Sequence, residues 1–251
     1  MTDAMNPLPS APAPGPSAGG FFQNLVDLYF SPREAFERIV RAPRVLVPLA
    51  VYALLVLGFT GVWMSKMDPR EFMKTQIEES PYADRMTAEQ KQQAIDQQAG
   101  FMGVYGWVVG PVFVALMLLV VAAALMFIYR FFFAGDVTFA QSFAIVIWVF
   151  LAVSLISVPV TLAVLALKGD WNVDPNQAVM ANLGLLFDKS TAAKPLWALA
   201  TSIDLFVLWM VFLLAVGFGV ACRKSTSSAL WGVGLAWALI VLCKVGWAAI
   251  F

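Results

Sequence analysis

Long apolar stretches alternate with polar segments along this chain. Residues 45–64, 101–129 and 139–167 contain no charged side chain, while 196–222 and 229–251 contain one each. A helix needs about 20 apolar residues to cross a hydrocarbon core of about 30 Å. Runs of this length favour membrane spans over buried helices or strands of a soluble domain. The pattern therefore predicts an all-α, polytopic membrane protein with five transmembrane helices.

The segment before the first span has a helical period of apolar and polar residues. Residues 21–44 carry apolar side chains at three- and four-residue spacing, which is typical of amphipathic helices. The order of residues from Ser31 to Glu34, with Pro32 second, predicts the start of a second helix capped by the serine. We expect both helices to lie in the membrane interface with their apolar sides toward lipid. The alternative is packing on a soluble partner domain.

The remaining segments are polar connections. Residues 1–20 are rich in Pro, Ala and Gly and are expected to be a disordered tail. Residues 65–100 are expected to form a helical, soluble loop, with a capping box at Thr87–Gln90. Residues 168–195 contain a short apolar helix that cannot span and should lie on the surface. The five spans and their connections thus form one membrane domain over residues 45–251.

Composition narrows the functional classes. Hydrophobic residues make up 61% of the chain and charged residues 13%, so the protein needs lipid as its solvent. The net charge of zero gives no support to a nucleic-acid partner. There is no histidine, the two cysteines form no CxxC pair, and familiar catalytic motifs are missing. We therefore predict a protein that is not an enzyme and has no cofactor or metal site.

Two ionisable residues, Asp204 and Lys244, lie well inside predicted spans. Asp204 lies about 12 Å from the start of the fourth span and Lys244 about 10 Å from the end of the fifth. A short turn makes these spans antiparallel neighbours, so equal depth predicts an intramembrane ion pair. The pair would fasten the two spans together or take part in a proton or ion path. A third reading is an Asp beside a water-filled vestibule, with a lysine that extends to the interface.

The third span carries a polar face around a proline. Ser154, Ser157 and Thr161 share one helical side, and Pro159 lies between them. A proline frees backbone carbonyls, which nearby hydroxyls can help to satisfy. The pattern predicts a locally compensated kink, and a solute site is the alternative.

The distribution of Lys and Arg bears on orientation. With the N-terminus inside, seven basic residues flank the inner ends of the spans and eight occupy the outer loops. The inner segments are shorter, so their basic residues are denser, and short loops near span ends carry the orientation signal. We predict a cytoplasmic N-terminus and an outer C-terminus.

Several segments together resemble a known family. They are LYFSPREAFERI near the start, FFFAGDVTFAQSF, ISVPVTL, and SIDLFVLWMVFLLAVGFGVACRKSTSSA near the end. Over residues 21–251 the chain resembles bacterial members of the Yip1 family. The resemblance implies five spans and a cytoplasmic N-terminus. Eukaryotic members act in vesicle traffic with Rab GTPases, partners that a bacterial chain lacks. Some bacterial members are similar to proteins encoded beside ABC-type efflux systems.

The functional hypothesis combines these observations. We expect a multi-pass protein of the bacterial inner membrane that binds other membrane proteins, as an accessory subunit of an ABC-type exporter. The alternative is a small transporter or channel that uses Asp204 and the Ser154, Ser157 and Thr161 face. The oligomeric state is left open.

Overall fold

The computed structural model describes residues 19–80, 82–188 and 191–250. Most of the expected disordered tail, residues 1–18, lies outside this part of the chain. Eleven α-helices occur within the described ranges. They are α1 (Phe21–Phe30), α2 (Pro32–Arg41), α3 (Leu46–Met64), α4 (Pro69–Glu78), α5 (Ala88–Val104), α6 (Gly110–Phe132), α7 (Phe139–Lys168), α8 (Pro175–Ala178), α9 (Lys194–Ser202), α10 (Leu205–Ala221) and α11 (Thr226–Ile250).

The prediction of an all-α polytopic membrane protein is confirmed. Four described helices are long and apolar enough to cross a bilayer: α3, the continuous helix Ala88–Phe132, α7 and α11. A fifth apolar helix, α10, has 17 residues, or about 26 Å. Few residues of α3 and α11 are fully buried inside the protein, which is the expected state of helices whose solvent is lipid.

The bundle is built around α7. This helix has half of its most apolar stretch buried and packs against α3, α6 and α10. It begins with a capping box formed by Thr138 and Gln141, and it ends at Gly169 in the left-handed conformation. At its N-terminal half, Ser142 is fully buried and donates a hydrogen bond to the Ala122 carbonyl of α6 at 2.6 Å. The N-terminal half of α7 is therefore the centre of the core.

One helix is much longer than a membrane requires. Residues Ala88–Phe132 form 45 continuous helical residues, or about 67 Å, which is about twice the hydrocarbon thickness. The helix consists of α5, a π-helical turn at Tyr105–Val109, and α6. Gly106 in that turn faces Met64 of α3, and a Cβ there would lie 2.2 Å from its sulfur. The absence of a side chain at Gly106 thus allows α3 to approach the long helix closely.

The placement predicted for the apolar side of α2 is wrong. Ala35 and Phe36 are fully buried and Ile39 is 2% exposed, because α2 packs on α10 and α7 rather than resting that side on lipid. The chain's own bundle, and neither lipid nor the alternative of a soluble partner domain, covers the apolar side of α2. Ser31 precedes α2, but its side chain makes no capping hydrogen bond.

The prediction of an unbroken fourth span at residues 196–222 is also wrong. The helix stops at Ser202 and restarts at Leu205, which divides the segment into α9 and α10. The physical reason is the side chain of Asp204, which serves the second helix as its N-cap. Both pieces pack on α11, so the two halves of the break share one neighbour.

Candidate functional site

The break between α9 and α10 brings together the polar groups of the predicted fourth and fifth spans. Asp204 Oδ1 accepts hydrogen bonds from the backbone N–H groups of Phe206 at 2.8 Å and Val207 at 3.2 Å. These are two of the first N–H groups of a helix, which have no partner inside it. The carboxylate also places a negative charge at the positive end of the α10 dipole. Asp204 therefore stabilises the start of α10.

The segment before α9 covers the same break. Leu183 N–H donates to the Ile203 carbonyl at 3.2 Å, and Leu205 N–H donates to the Ala181 carbonyl at 3.0 Å. These bonds form a short antiparallel bridge between Asn182 and Asp204. In a lipid environment such bonds matter because freed backbone groups have no water to bind. The break is thus a built feature with its own supporting segment, and it accounts for the position of part of residues 168–195.

Lys244 of α11 reaches the other side of the break. Its Nζ donates to Thr201 Oγ1 at 3.2 Å and to Ser202 Oγ at 3.1 Å. The two hydroxyls donate in turn to carbonyls of α9, Thr201 to Trp197 and Ser202 to Ala198. The ammonium therefore lies at the C-terminal end of α9, where a positive charge complements the helix dipole.

The predicted ion pair between Asp204 and Lys244 is not formed. The depth estimate was close, because Lys244 meets residues two and three positions before Asp204. The break changes the outcome, since it directs the carboxylate to the N–H groups of its own helix. Each charge instead complements one helix end, Asp204 at the start of α10 and Lys244 at the end of α9.

Sequence reasoning missed Thr201 and Ser202 as the partners of Lys244. A signal was present: Thr-Ser-Ile-Asp within an apolar run combines helix-terminating hydroxyls with an N-cap residue. Reading the run as one uninterrupted span hid that signal.

The predicted polar face of α7 lies apart from this site. The helix continues through Pro159, and the Ser154 side chain lies beside Tyr52 of α3. Ser157 and Thr161 are half-buried. Within the described residues, no hydrogen bond connects this face to the break. Ser154 thus faces α3, and the kink and the solute site both remain predictions.

A second candidate site is the hairpin formed by α4 and α5. Asp68 caps α4, and the predicted capping box of Thr87 and Gln90 is present at the start of α5. Arg70 and Asp96 form an exposed ion pair of 2.9 Å between the two helices. Hydrogen bonds from the Glu89 backbone N–H and the Thr87 hydroxyl hold the pKa of the Glu89 carboxyl below its usual range.

The base of the hairpin is anchored by a small separate core. Phe72 of α4 and Met102 of α5 are buried there together with Met67, and Trp63 and Trp171 pack against them. The Trp63 indole N–H also donates to the Trp171 carbonyl at 3.0 Å. The outer side of α5 carries a shallow depression lined only by polar residues. They are Glu89, Gln92, Gln93, Asp96 and Gln97.

Comparison with known proteins agrees with the architecture. The model of the Yip1 domain matches residues 26–248, which is most of the chain. No curated protein and no solved structure matched. The span pattern, the amphipathic start and the domain match point to the same assignment. The chain belongs to the Yip1 domain family.

Proposed function

We propose that this protein acts by binding another membrane protein through the α4–α5 hairpin, as an accessory subunit of an ABC-type exporter. The observation that supports the proposal most directly is the length of the Ala88–Phe132 helix. A bilayer accounts for about 30 of its roughly 67 Å, so a large part of the helix has to lie beyond the hydrocarbon.

The polarity of α5 supports a role in recognition. The stretch from Glu89 to Gln97 presents carboxylates and amides, and its outer side is exposed. Amide side chains donate and accept hydrogen bonds, so they suit a polar partner surface. The Arg70–Asp96 pair and the small core around Phe72 hold this surface in one orientation, which lowers the entropy cost of binding.

We further propose that the protein resides in the bacterial inner membrane. In the predicted orientation the N-terminus is cytoplasmic, the C-terminus is outside, and the hairpin faces outward. The expected partner is therefore a membrane protein with an exposed polar region on that side.

The test is crosslinking and co-purification from native membranes at native expression. Gln93→Arg changes the depression without touching a buried contact and should reduce recovery of the exporter subunit, identified by mass spectrometry. Gln23→Arg, the same change on the exposed side of α1, is the matched control and should leave recovery unchanged. Recovery of the chain alone in the unsubstituted protein, even after crosslinking, would contradict the proposal.

The break between α9 and α10 favours a second candidate, a small transporter. Discontinuous helices with charged residues near the membrane centre form ion and solute sites in many transporters. Asp204 and Lys244 provide such charges on either side of this break.

The structure allows a sharp design for this second test. Asn is as good an N-cap as Asp, so Asp204→Asn should preserve α10 while removing the charge. A transporter that uses this carboxylate loses flux in proteoliposomes with an unchanged melting temperature. Lys244→Gln provides the complementary change. Equal flux in both variants and the parent protein would exclude the role.

A further inference from the structure

A cavity of about 120 Å³ lies where the α1–α2 pair meets the start of α3 and the buried half of α7. Phe21 of α1 forms one wall, with its ring 5.2 Å from that of Trp148 on α7. Ile39 of α2 and Pro48 of α3 close the sides. Four helices therefore enclose a small, mostly apolar space.

The lining of the cavity also includes a polar and a cationic side chain. Arg44 lies at the cavity, two residues before α3 begins. Asn24 also lines it, and its Oδ1 accepts a hydrogen bond from Arg38 at 2.9 Å.

Charge pairing leaves Arg44 available. Arg33 pairs with Glu37 at 3.4 Å, and Arg38 pairs with Asp27. In the part of the chain that the structure describes, Arg44 forms no ion pair, and its side chain is exposed. The segment from residue 33 to 44 contains four arginines and two glutamates. An exposed guanidinium with no ion pair of its own is suited to binding an anion.

The position relative to the membrane identifies the source of that anion. Helix α3 is one of the helices long enough to cross the bilayer, so Arg44 lies close to one end of a membrane span. Leu46 and Val47, next in the chain, are 78% and 54% exposed and offer an apolar surface beside the cavity. A free phosphate would use only the arginine, whereas a phospholipid uses the arginine with its headgroup and the apolar surface with its acyl chains.

We infer that this cavity binds an anionic phospholipid, with the headgroup phosphate on Arg44 and an acyl chain along the start of α3. Basic pockets between membrane helices recognise anionic headgroups in this way. Arginine suits the task because its planar guanidinium donates two hydrogen bonds to a phosphate. The inference is independent of any protein partner and of which end of the chain is cytoplasmic.

The test measures lipid binding to the full chain in neutral detergent. Phosphatidylglycerol, phosphatidylcholine and inorganic phosphate are added separately, and retained lipid is counted by native mass spectrometry beside the melting temperature. Phosphatidylglycerol should bind and raise the melting temperature, while the other two should have little effect. Arg44→Gln should weaken phosphatidylglycerol binding about fivefold, and raising the salt concentration should weaken it further in the parent protein.

Matched variants keep the test decisive. Arg33→Gln removes a charge from the same helix pair but away from the cavity, so it should bind phosphatidylglycerol as the parent does. Arg44→Lys retains the charge and should recover part of the affinity even if Arg44→Gln lowers stability. Equal binding of phosphatidylglycerol and phosphatidylcholine, equal losses at Arg33 and Arg44, or full binding by phosphate alone would each overturn the inference.

Discussion

Replacing Phe36 with alanine tests whether α1 and α2 belong to the bundle or rest on the membrane. Phe36 is fully buried, and its ring lies beside Gly217 of α10, where an added Cβ would approach it within 3.1 Å. The contact holds α2 against the C-terminal half of α10. Removing a buried Phe side chain costs about 3–5 kcal/mol in soluble proteins, since it combines lost burial with a residual cavity.

The expected effect can be stated as a change in protection. Each 1.4 kcal/mol changes an equilibrium tenfold, so a cost of about 3–5 kcal/mol in Phe36→Ala should raise the undocked fraction of the helix pair about 10²- to 4 × 10³-fold. Amide hydrogen exchange of residues 21–41 in detergent measures this fraction, since exchange follows local opening. The amides of α7 near Ile145 should keep most of their protection, because α6 and α10 still cover that helix.

The matched control is Phe30→Ala. Phe30 is 82% exposed in the structure and should leave hydrogen exchange of α2 unchanged. If Phe36→Ala changes neither exchange nor melting temperature, the apolar side of α2 is held by lipid or detergent and not by α10. An equal effect of Phe36→Ala and Phe30→Ala would likewise contradict the packing of Phe36 on α10.

Three further outcomes follow from local contacts. Asp204→Ala should destabilise the protein by about 1 kcal/mol through loss of the N-cap of α10. The exchanged pair, Asp204→Lys with Lys244→Asp, should not restore the melting temperature, because the two charges do not pair. Recovery of the melting temperature in the exchanged pair would contradict this geometry. Gly217→Ala should lower the melting temperature, since its Cβ would lie 2.6 Å from a side-chain atom of α7. Gly234→Ala has open space around its Cβ and should be tolerated. Equal melting temperatures of the two variants would refute the close packing at Gly217. The pKa of Glu89 is lowered by hydrogen bonds in the folded state, so its stabilisation of the first turn of α5 is present above pH 4.5 and lost as pH falls through the lowered pKa. If the protection factors of that turn, corrected for the intrinsic pH dependence of amide exchange, stay constant over this range, the effect is excluded.

The sequence predicted the helical membrane architecture because length and apolar content suffice for that conclusion. An uncharged apolar run as long as 139–167 has few stable structures other than a membrane-spanning helix, and α7 occupies Phe139–Lys168. Capping signals were equally readable where the required groups lie within a few residues, as in the box of Thr87 and Gln90.

Features that depend on tertiary contacts were not predictable in the same way. An apolar helix side packs equally well on lipid or on protein, so periodicity alone could not place Phe36 against α10. The partners of Lys244 depended on whether the fourth span was broken. An average hydropathy value counts Asp204 only as a charge that lowers the apolar character of the span. Its capping role depends on backbone geometry, which hydropathy does not contain.

The π-helical turn at Tyr105–Val109 sets the rotational position of everything beyond it. Successive residues of an α-helix are separated by about 100° around the axis. A π-helical turn holds about one residue more than the α-helical turn it replaces, so deleting one residue from it would restore an α-helical turn and leave α5 close to its present azimuth. Because α5 and α6 are continuous, the same deletion in the regular α-helical part of α6 would rotate α4 and α5 by about 100° and shorten the helix by about 1.5 Å. The depression around Gln93 would then face a different direction around the bundle. Comparing a deletion at this turn with one in α6 therefore separates the azimuth of the hairpin from its chemistry, which no substitution of a surface side chain can do.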